Sequence, residues 1–295
     1  MKYIAIDLSN KAWQWFTLML LALIWGSSFL FMKRGLESFT DMQVAAFRIF
    51  ISFLFFFPMA LRRLKYLKKE NIKSLLLVGF IGNGIPAFLF TKAQTQVSSS
   101  LAGMLNSLVP LFALIVGYVF YKVQVKKLNV LGVFIGLTGA TGLITMSAEG
   151  AFSSSGYYSL FIVLATICYS ISVNEIKQKL ADLDGISIMS FAFMFIGPWA
   201  GIYLLFSDYT YTLNTPDYIH NFTYVFFLAL FSSVIANIIF NYLIKHTTAI
   251  FATSVTYLIP IVAILLGVFD GENINFAQII FIMVILGGVS LVNKK

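Results

Sequence analysis

The chain has 295 residues, 59% of them hydrophobic and only 11% charged, with a mean hydropathy of +0.89. A soluble domain carries about 25% charged residues, so this composition excludes a soluble globular protein. The formal charge of +8 would suit nucleic acid, but the cations sit in short loops between apolar runs, where they orient a membrane protein; no nucleic-acid partner is expected.

Ten stretches are apolar over about the 20 residues a helix needs to cross a bilayer: 13–32, 42–61, 74–91, 97–121, 128–146, 157–176, 186–206, 223–243, 249–269 and 276–292. The first ends in Lys33-Arg34 with no small-residue cleavage site, so it reads as a retained span and not a signal peptide. The runs are too long and too evenly apolar for the strands of a closed barrel. The longest gap, 207–222, holds Asp208, Asn214, Pro216 and Asp217 and reads as a loop. The lone Cys168 lies inside an apolar run and can make neither an internal disulfide nor a metal site.

The stretch 106–120 returns at 256–270. At an offset of 150, Pro110, Ala113 and Gly117 fall on Pro260, Ala263 and Gly267, and Phe90 and Ala102 on Phe240 and Ala252. Several matches at one offset indicate a duplicated unit, with one five-helix repeat over 1–148 and the other over 149–295. Five is odd, so the second copy enters the membrane from the opposite side. The fold class is therefore an all-α integral membrane protein with ten transmembrane helices as two inverted five-helix repeats. Such repeats are a transporter device, in which the substrate sits between the copies. Of the twenty Lys and Arg residues, sixteen fall on one side and Lys33, Arg34 and Lys92 on the other, while Arg48 lies inside a span. That excess, which counts Lys2, Lys245, Lys294 and Lys295, places both termini in the cytoplasm.

At this point the residues resemble a known family. ALIWGSSFLFMK at 22–33 is similar to the first-helix signature of EamA-type proteins of the drug/metabolite transporter superfamily. AAFRIFISFLFFFP at 45–58 resembles their second helix, and VPLFALIVG at 109–117 and IPIVAILLG at 259–267 resemble their fourth and ninth. The resemblance implies a five-plus-five arrangement and export of amino acids, other metabolites or drugs across the bacterial inner membrane. The second half departs from the first: Cys168-Tyr169 stands where the first copy has Trp25-Gly26, and nothing in the seventh helix corresponds to Arg48.

Candidate cavity residues follow from helical spacing. GNGIP at 82–86 loosens the third span and frees backbone groups. Its counterpart at 232–236, SSVIA, lacks Gly and Pro, so the interruption that marks a transport site is met in the first copy only. Asn83, Ala87 and Thr91 map on Ser233, Asn237 and Asn241, each set along one helix face. Gly103, Asn106 and Pro110 share a face of the fourth helix, as do Thr253, Thr256 and Pro260 in the ninth, with Tyr257 beside them. The prolines permit a bend. Arg48 is the clear intramembrane charge; it either pairs with an anionic group of a substrate or snorkels to the boundary. Trp25, Ser28 and Met32 share a face of the first helix, and Tyr169 in the sixth could be its partner. Interhelical packing is the other reading of every one of these residues.

Glycines Gly132, Gly136, Gly139 and Gly142, with Gly287-Gly288, predict close packing of the fifth and tenth helices. All twelve acidic residues lie in loops or at span ends, Glu175 deepest. Ion-coupled carriers commonly keep a buried carboxylate, so a facilitator or exchanger, or a coupling that uses no buried acid, is expected. HExxH, GxSxG, CxxC and P-loop motifs are absent, and neither an enzyme nor a cofactor is implied. The expected partners are a small-molecule substrate and the lipid bilayer; homodimerisation stays open. The reading is an inner-membrane secondary transporter of small metabolites such as amino acids, by alternating access. Multidrug efflux is the alternative, and a membrane sensor or structural protein a further one.

Overall fold

The computed structural model describes residues 10–146, 154–246 and 255–292, with 154, 155 and 244–246 described by backbone alone. Among these residues every regular element is a helix. In chain order they are α1 (Lys11–Leu36), α2 (Asp41–Arg63), α3 (Lys69–Gln94), α4 (Ser99–Tyr121), α5 (Lys127–Thr145), α6 (Ser154–Lys179), α7 (Gly185–Leu205), α8 (218–246), α9 (Val255–Phe269) and α10 (Phe276–Val292). The first eight are long and apolar enough to cross a membrane. The last two are apolar but shorter, 15 and 17 residues. Of the repeat and charge patterns, Lys2, Ala252, Thr253, Lys294 and Lys295 lie outside the described residues, as does the Lys245 side chain.

Local chemistry sets the helix starts. Asn10 caps α1 through the Ala12 N–H at 2.8 Å, and Thr40 and Gln43 close a reciprocal capping box on α2. Asp184 caps α7 by accepting from the Ser187 N–H at 2.7 Å. The expected loop at 207–222 is partly helical. The Asp208 carboxylate accepts from Thr210 N–H and Oγ at 2.8 and 2.6 Å and starts a single turn, Thr210–Asn214. Asp217, with φ of 62°, then reverses the chain, and α8 begins at Tyr218. Pro110, which has no N–H to give, follows a break in α4 after Asn106, whereas α9 runs unbroken through Pro260.

Packing pairs the helices in a repeating scheme. α5 lies along α10 and α2 along α7, each antiparallel; α1 pairs with α9 and α6 with α4. Gly26 meets Val262, and further on Lys33 pairs with Asp270, so α1 and α9 run the same way. Ser170 donates to the Val109 carbonyl and Asn174 to that of Ala113, both at 2.9 Å, so α6 and α4 also run together. The α1–α9 pair points to the end of the bundle that carries Lys33. The α6–α4 pair points to the opposite end, where Arg63 bonds Asp184. The glycines expected between α5 and α10 make backbone contact: a Cβ on Gly132 would meet the Gly288 carbonyl at 2.6 Å, while Gly287 faces open space.

Large apolar side chains such as Trp199, Phe134 and Phe269 cover the outside, as a lipid-facing surface requires. The interior holds two apolar clusters. One gathers α1, α4, α9 and the α5–α10 pair; the other gathers α2 and α7. α3 gives Phe90 to the first and Ala87 to the second, and α8 likewise gives Ala236 and Val234. These two helices form the seam on which the polar side chains lie.

Candidate functional site

Both seam helices are interrupted by wider, π-helical turns: Phe80–Gly84 in α3 and Leu228–Ile235 in α8. The repeat offset lays 80–84 on 230–234, inside the second segment. The expectation that only the Gly- and Pro-bearing copy is loosened is therefore corrected. A π turn shifts the ladder and leaves polar groups to be satisfied elsewhere. In α8 they are met partly from other helices and partly from within. Trp25 Nε1 donates to the Ser232 carbonyl at 3.1 Å and Ser52 Oγ to that of Ala229 at 3.4 Å. Asn237 Nδ2 donates to the Ser233 carbonyl at 2.8 Å. In α3, Asn83 Nδ2 donates to the Val78 carbonyl of its own helix at 2.9 Å. Gly82 is required there, because a Cβ would overlap the Ser172 side chain of α6.

Arg48 turns inward, not toward a boundary. Its Nε donates to Ser233 Oγ at 2.9 Å, and its side chain also meets the Tyr169 hydroxyl. Three helices, α2, α6 and α8, thus converge on one guanidinium. The Tyr169 ring packs on Phe90 with centroids 6.0 Å apart, and the Trp25 ring meets Phe240 edge-on at 5.1 Å. Tyr169 therefore does for α6 what Trp25 does for α1: each ties its helix to the seam helix of the other half.

The remaining candidates are placed less centrally. Ser28 is buried and donates to the Trp25 carbonyl of its own helix at 2.5 Å. Asn241 and Thr91 likewise bond within their helices. Asn106 ends the first part of α4, partly exposed, with no side-chain hydrogen bond among the described residues. Thr256 and Tyr257 open α9, partly exposed, on the helix that packs against both α1 and α4. The site that geometry assembles is thus Arg48, Ser233 and Tyr169, with Trp25 beside it on the same π segment and Asn83 and Asn237 on the two seam helices.

Sequence reasoning passes over Ser232 and Ser172, whose roles depend on neighbours from other helices, and over two carboxylates at the Lys33 end. Asp270 and Glu272 are loop acids by sequence, yet their side chains are only 6% and 8% exposed. Lys33 Nζ bonds Asp270 at 2.5 Å and Glu272 at 3.0 Å, and Arg34 pairs with Asp270. Glu272 also accepts from the N–H groups of Ser99 and Ser100 at 2.9 Å and from Ser100 Oγ at 2.6 Å, at the start of α4. Burial pushes the Glu272 carboxyl up, but the Ser100 and Ser99 donors and Lys33 outweigh it and hold it below its ordinary value of 4.5. The available signal was opposite charge on one predicted side of the membrane: Lys33-Arg34 against Asp270 and Glu272.

The arrangement matches known proteins along its length. A model of the EamA-like transporter family matches residues 12–145 and again 156–294. The uncharacterized inner membrane transporter YedA of Escherichia coli K12 is 29% identical over 92% of this chain and 88% of its own. The protein PagO of Salmonella typhimurium is 21% identical over 83% of this chain and 81% of its own. The uncharacterized transporter YdfC of Bacillus subtilis is 30% identical over half of this chain. A solved crystal structure superposes with a TM-score of 0.64 over 96% of both chains at 17% identity, a likeness of fold. With the family's unit found once in each half of an all-helical, lipid-faced bundle, the chain belongs to the EamA-like transporter family and is a membrane transporter.

Proposed function

We propose that the protein is a ten-span secondary carrier of the bacterial inner membrane. It would move small polar metabolites such as amino acids by alternating access, as a facilitator or exchanger, with both termini cytoplasmic. The two halves divide near residue 148. The observation that carries the reading is the pair of π interruptions at equivalent points of α3 and α8. Interrupted helices at corresponding positions of two repeats are where transporters place substrate. Helix direction supports an inverted relation, since the α1–α9 pair recurs as α6–α4 pointing to the other end. The named relative in the inner membrane supports the location.

The test is counterflow of labelled amino acids in proteoliposomes of the purified chain. Trans-stimulated exchange of at least one solute is expected. Absence of flux for amino acids and for lipophilic cations alike would leave a sensor or structural role; flux of the cations alone would favour multidrug efflux.

A further inference from the structure

We propose that Arg48 is the recognition point for an anionic group, so that the transported solutes carry a carboxylate. This rests on the transporter reading above and narrows it. Five cations near helix ends meet acids: Lys33 and Arg34 meet Asp270, Arg63 meets Asp184, Lys68 meets Asp182 and Lys92 meets Asp41; others, such as Lys122 and Lys179, are loop-side cations that water can solvate. Arg48, well inside α2, forms no ion pair among the described residues. Its Nε bonds the Ser233 hydroxyl, and the Tyr169 hydroxyl lies beside it. They hold the guanidinium in place but leave its charge uncompensated, which is costly inside a membrane.

A structural role would not need that charge. A neutral amide could bond Ser233 as well. A guanidinium has five donors in a planar fork suited to a carboxylate, and two hydroxyls do not exhaust it. Both hydroxyls are also donors, so they can turn toward an arriving anion without a change of scaffold. Ser233 lies on the π segment of α8 next to Ser232, whose carbonyl takes the Trp25 N–H, and Tyr169, which packs on Phe90, adjoins Arg48. The partly exposed Asn83 and Asn237 on the seam helices suit an amino acid or a similar polar acid. Nothing in α7 repeats Arg48, so one anion site per chain is expected, displaced toward the first half.

The experiment compares labelled α-amino acids with their carboxamides in counterflow through proteoliposomes, for wild type, Arg48→Gln, Arg48→Lys and Ser233→Ala. Wild type should move at least one acid, with its carboxamide at least about tenfold weaker in apparent affinity, the worth of a charge-assisted hydrogen bond. Arg48→Gln should raise the acid's KM by about tenfold or more and erase the acid–amide difference. Arg48→Lys, a charge without the fork, should fall between, and Ser233→Ala should lose only a few-fold. Equal transport of acids and carboxamides by wild type, or wild-type affinity for the acid in Arg48→Gln, would overturn the anion site. Flux of ethidium but of no acid would also overturn it while leaving the transporter reading standing. No flux of acid, amide or ethidium would overturn both. Should Arg48→Gln yield no monodisperse protein, the wild-type acid–amide ratio decides.

Discussion

At the Lys33 end of the bundle, two carboxylates are almost wholly buried and each meets several donors; at the Arg63 end, Asp184 and Asp182 stand 48% and 43% exposed. Both ends join the two halves, yet they do so by different physics. Glu272 of the second half caps the start of α4 in the first and shares Lys33 of α1 with Asp270. Removing one partner of such a group strands a buried charge. In the pairs Arg63–Asp184 and Lys68–Asp182 the carboxylates reach water, where an ion pair is worth about 0–1 kcal/mol. The structure is therefore latched at the Lys33 end, and under alternating access that latch is what must break for this end to open.

The largest effect should come from the latch. Asp270→Asn together with Glu272→Gln should cost about 2–3 kcal/mol, below the roughly 3–5 kcal/mol of a fully buried pair, because Lys33 and Arg34 are themselves a third exposed. Thermal unfolding of the detergent-purified chain reads this directly, and an unchanged midpoint would sink the latch. Acid should act in the same direction. The folded-state value of Glu272 lies below 4.5, so its stabilisation is complete above 4.5 and is lost as the pH falls through the lower, folded value. The midpoint of the wild type should therefore fall more steeply below that pH than the midpoint of Glu272→Gln.

How much of this could be read from residues alone differs by level. Composition and run length located the eight long apolar helices and the two shorter ones, because a backbone buried in lipid is satisfied by helices; the turn Thr210–Asn214 inside the expected loop was not legible. The glycines between α5 and α10 were legible because small residues have one main use there. The π segment of α8 was not. SSVIA contains no breaker, and the wider turn is satisfied by Trp25 and Ser52 from other helices. Arg48 was legible as a special residue, but its inward direction depends on Ser233, remote in sequence. Asp270 and Glu272 read as loop acids because burial in a loop is set by what folds over it.

The Arg63 end offers a middle case. Glu175, the acid placed furthest into a span by sequence, accepts from Ser74 Oγ and the Tyr121 hydroxyl, each at 2.5 Å. These bonds join α6 to the start of α3 and the end of α4. Tyr121→Phe should cost about 1 kcal/mol, because a hydrogen bond to a charged group is lost while the partly exposed carboxylate keeps access to Ser74 and water. Glu175→Gln should leave any proton flux in proteoliposomes unchanged, since the carboxylate sits at the end of α6 and serves packing. A flux abolished by that change would make Glu175 a relay and remove the facilitator reading.

The smallest effect should be Asp182→Asn. Asp182 bonds Lys68 at 3.1 Å and Asn71 at 3.3 Å. Those two donors hold its carboxyl below the ordinary value, but the asparagine that replaces it still accepts from Asn71. The stability change should stay within about 0.5 kcal/mol, and at high salt it should vanish, because exposed charges are screened. The value of this near-null lies in the pairing with Glu272→Gln: the same chemical change, one carboxylate oxygen to an amide, at two ends of one molecule. If the two variants unfold at the same temperature, burial is not what separates the ends, and the latch loses its physical basis.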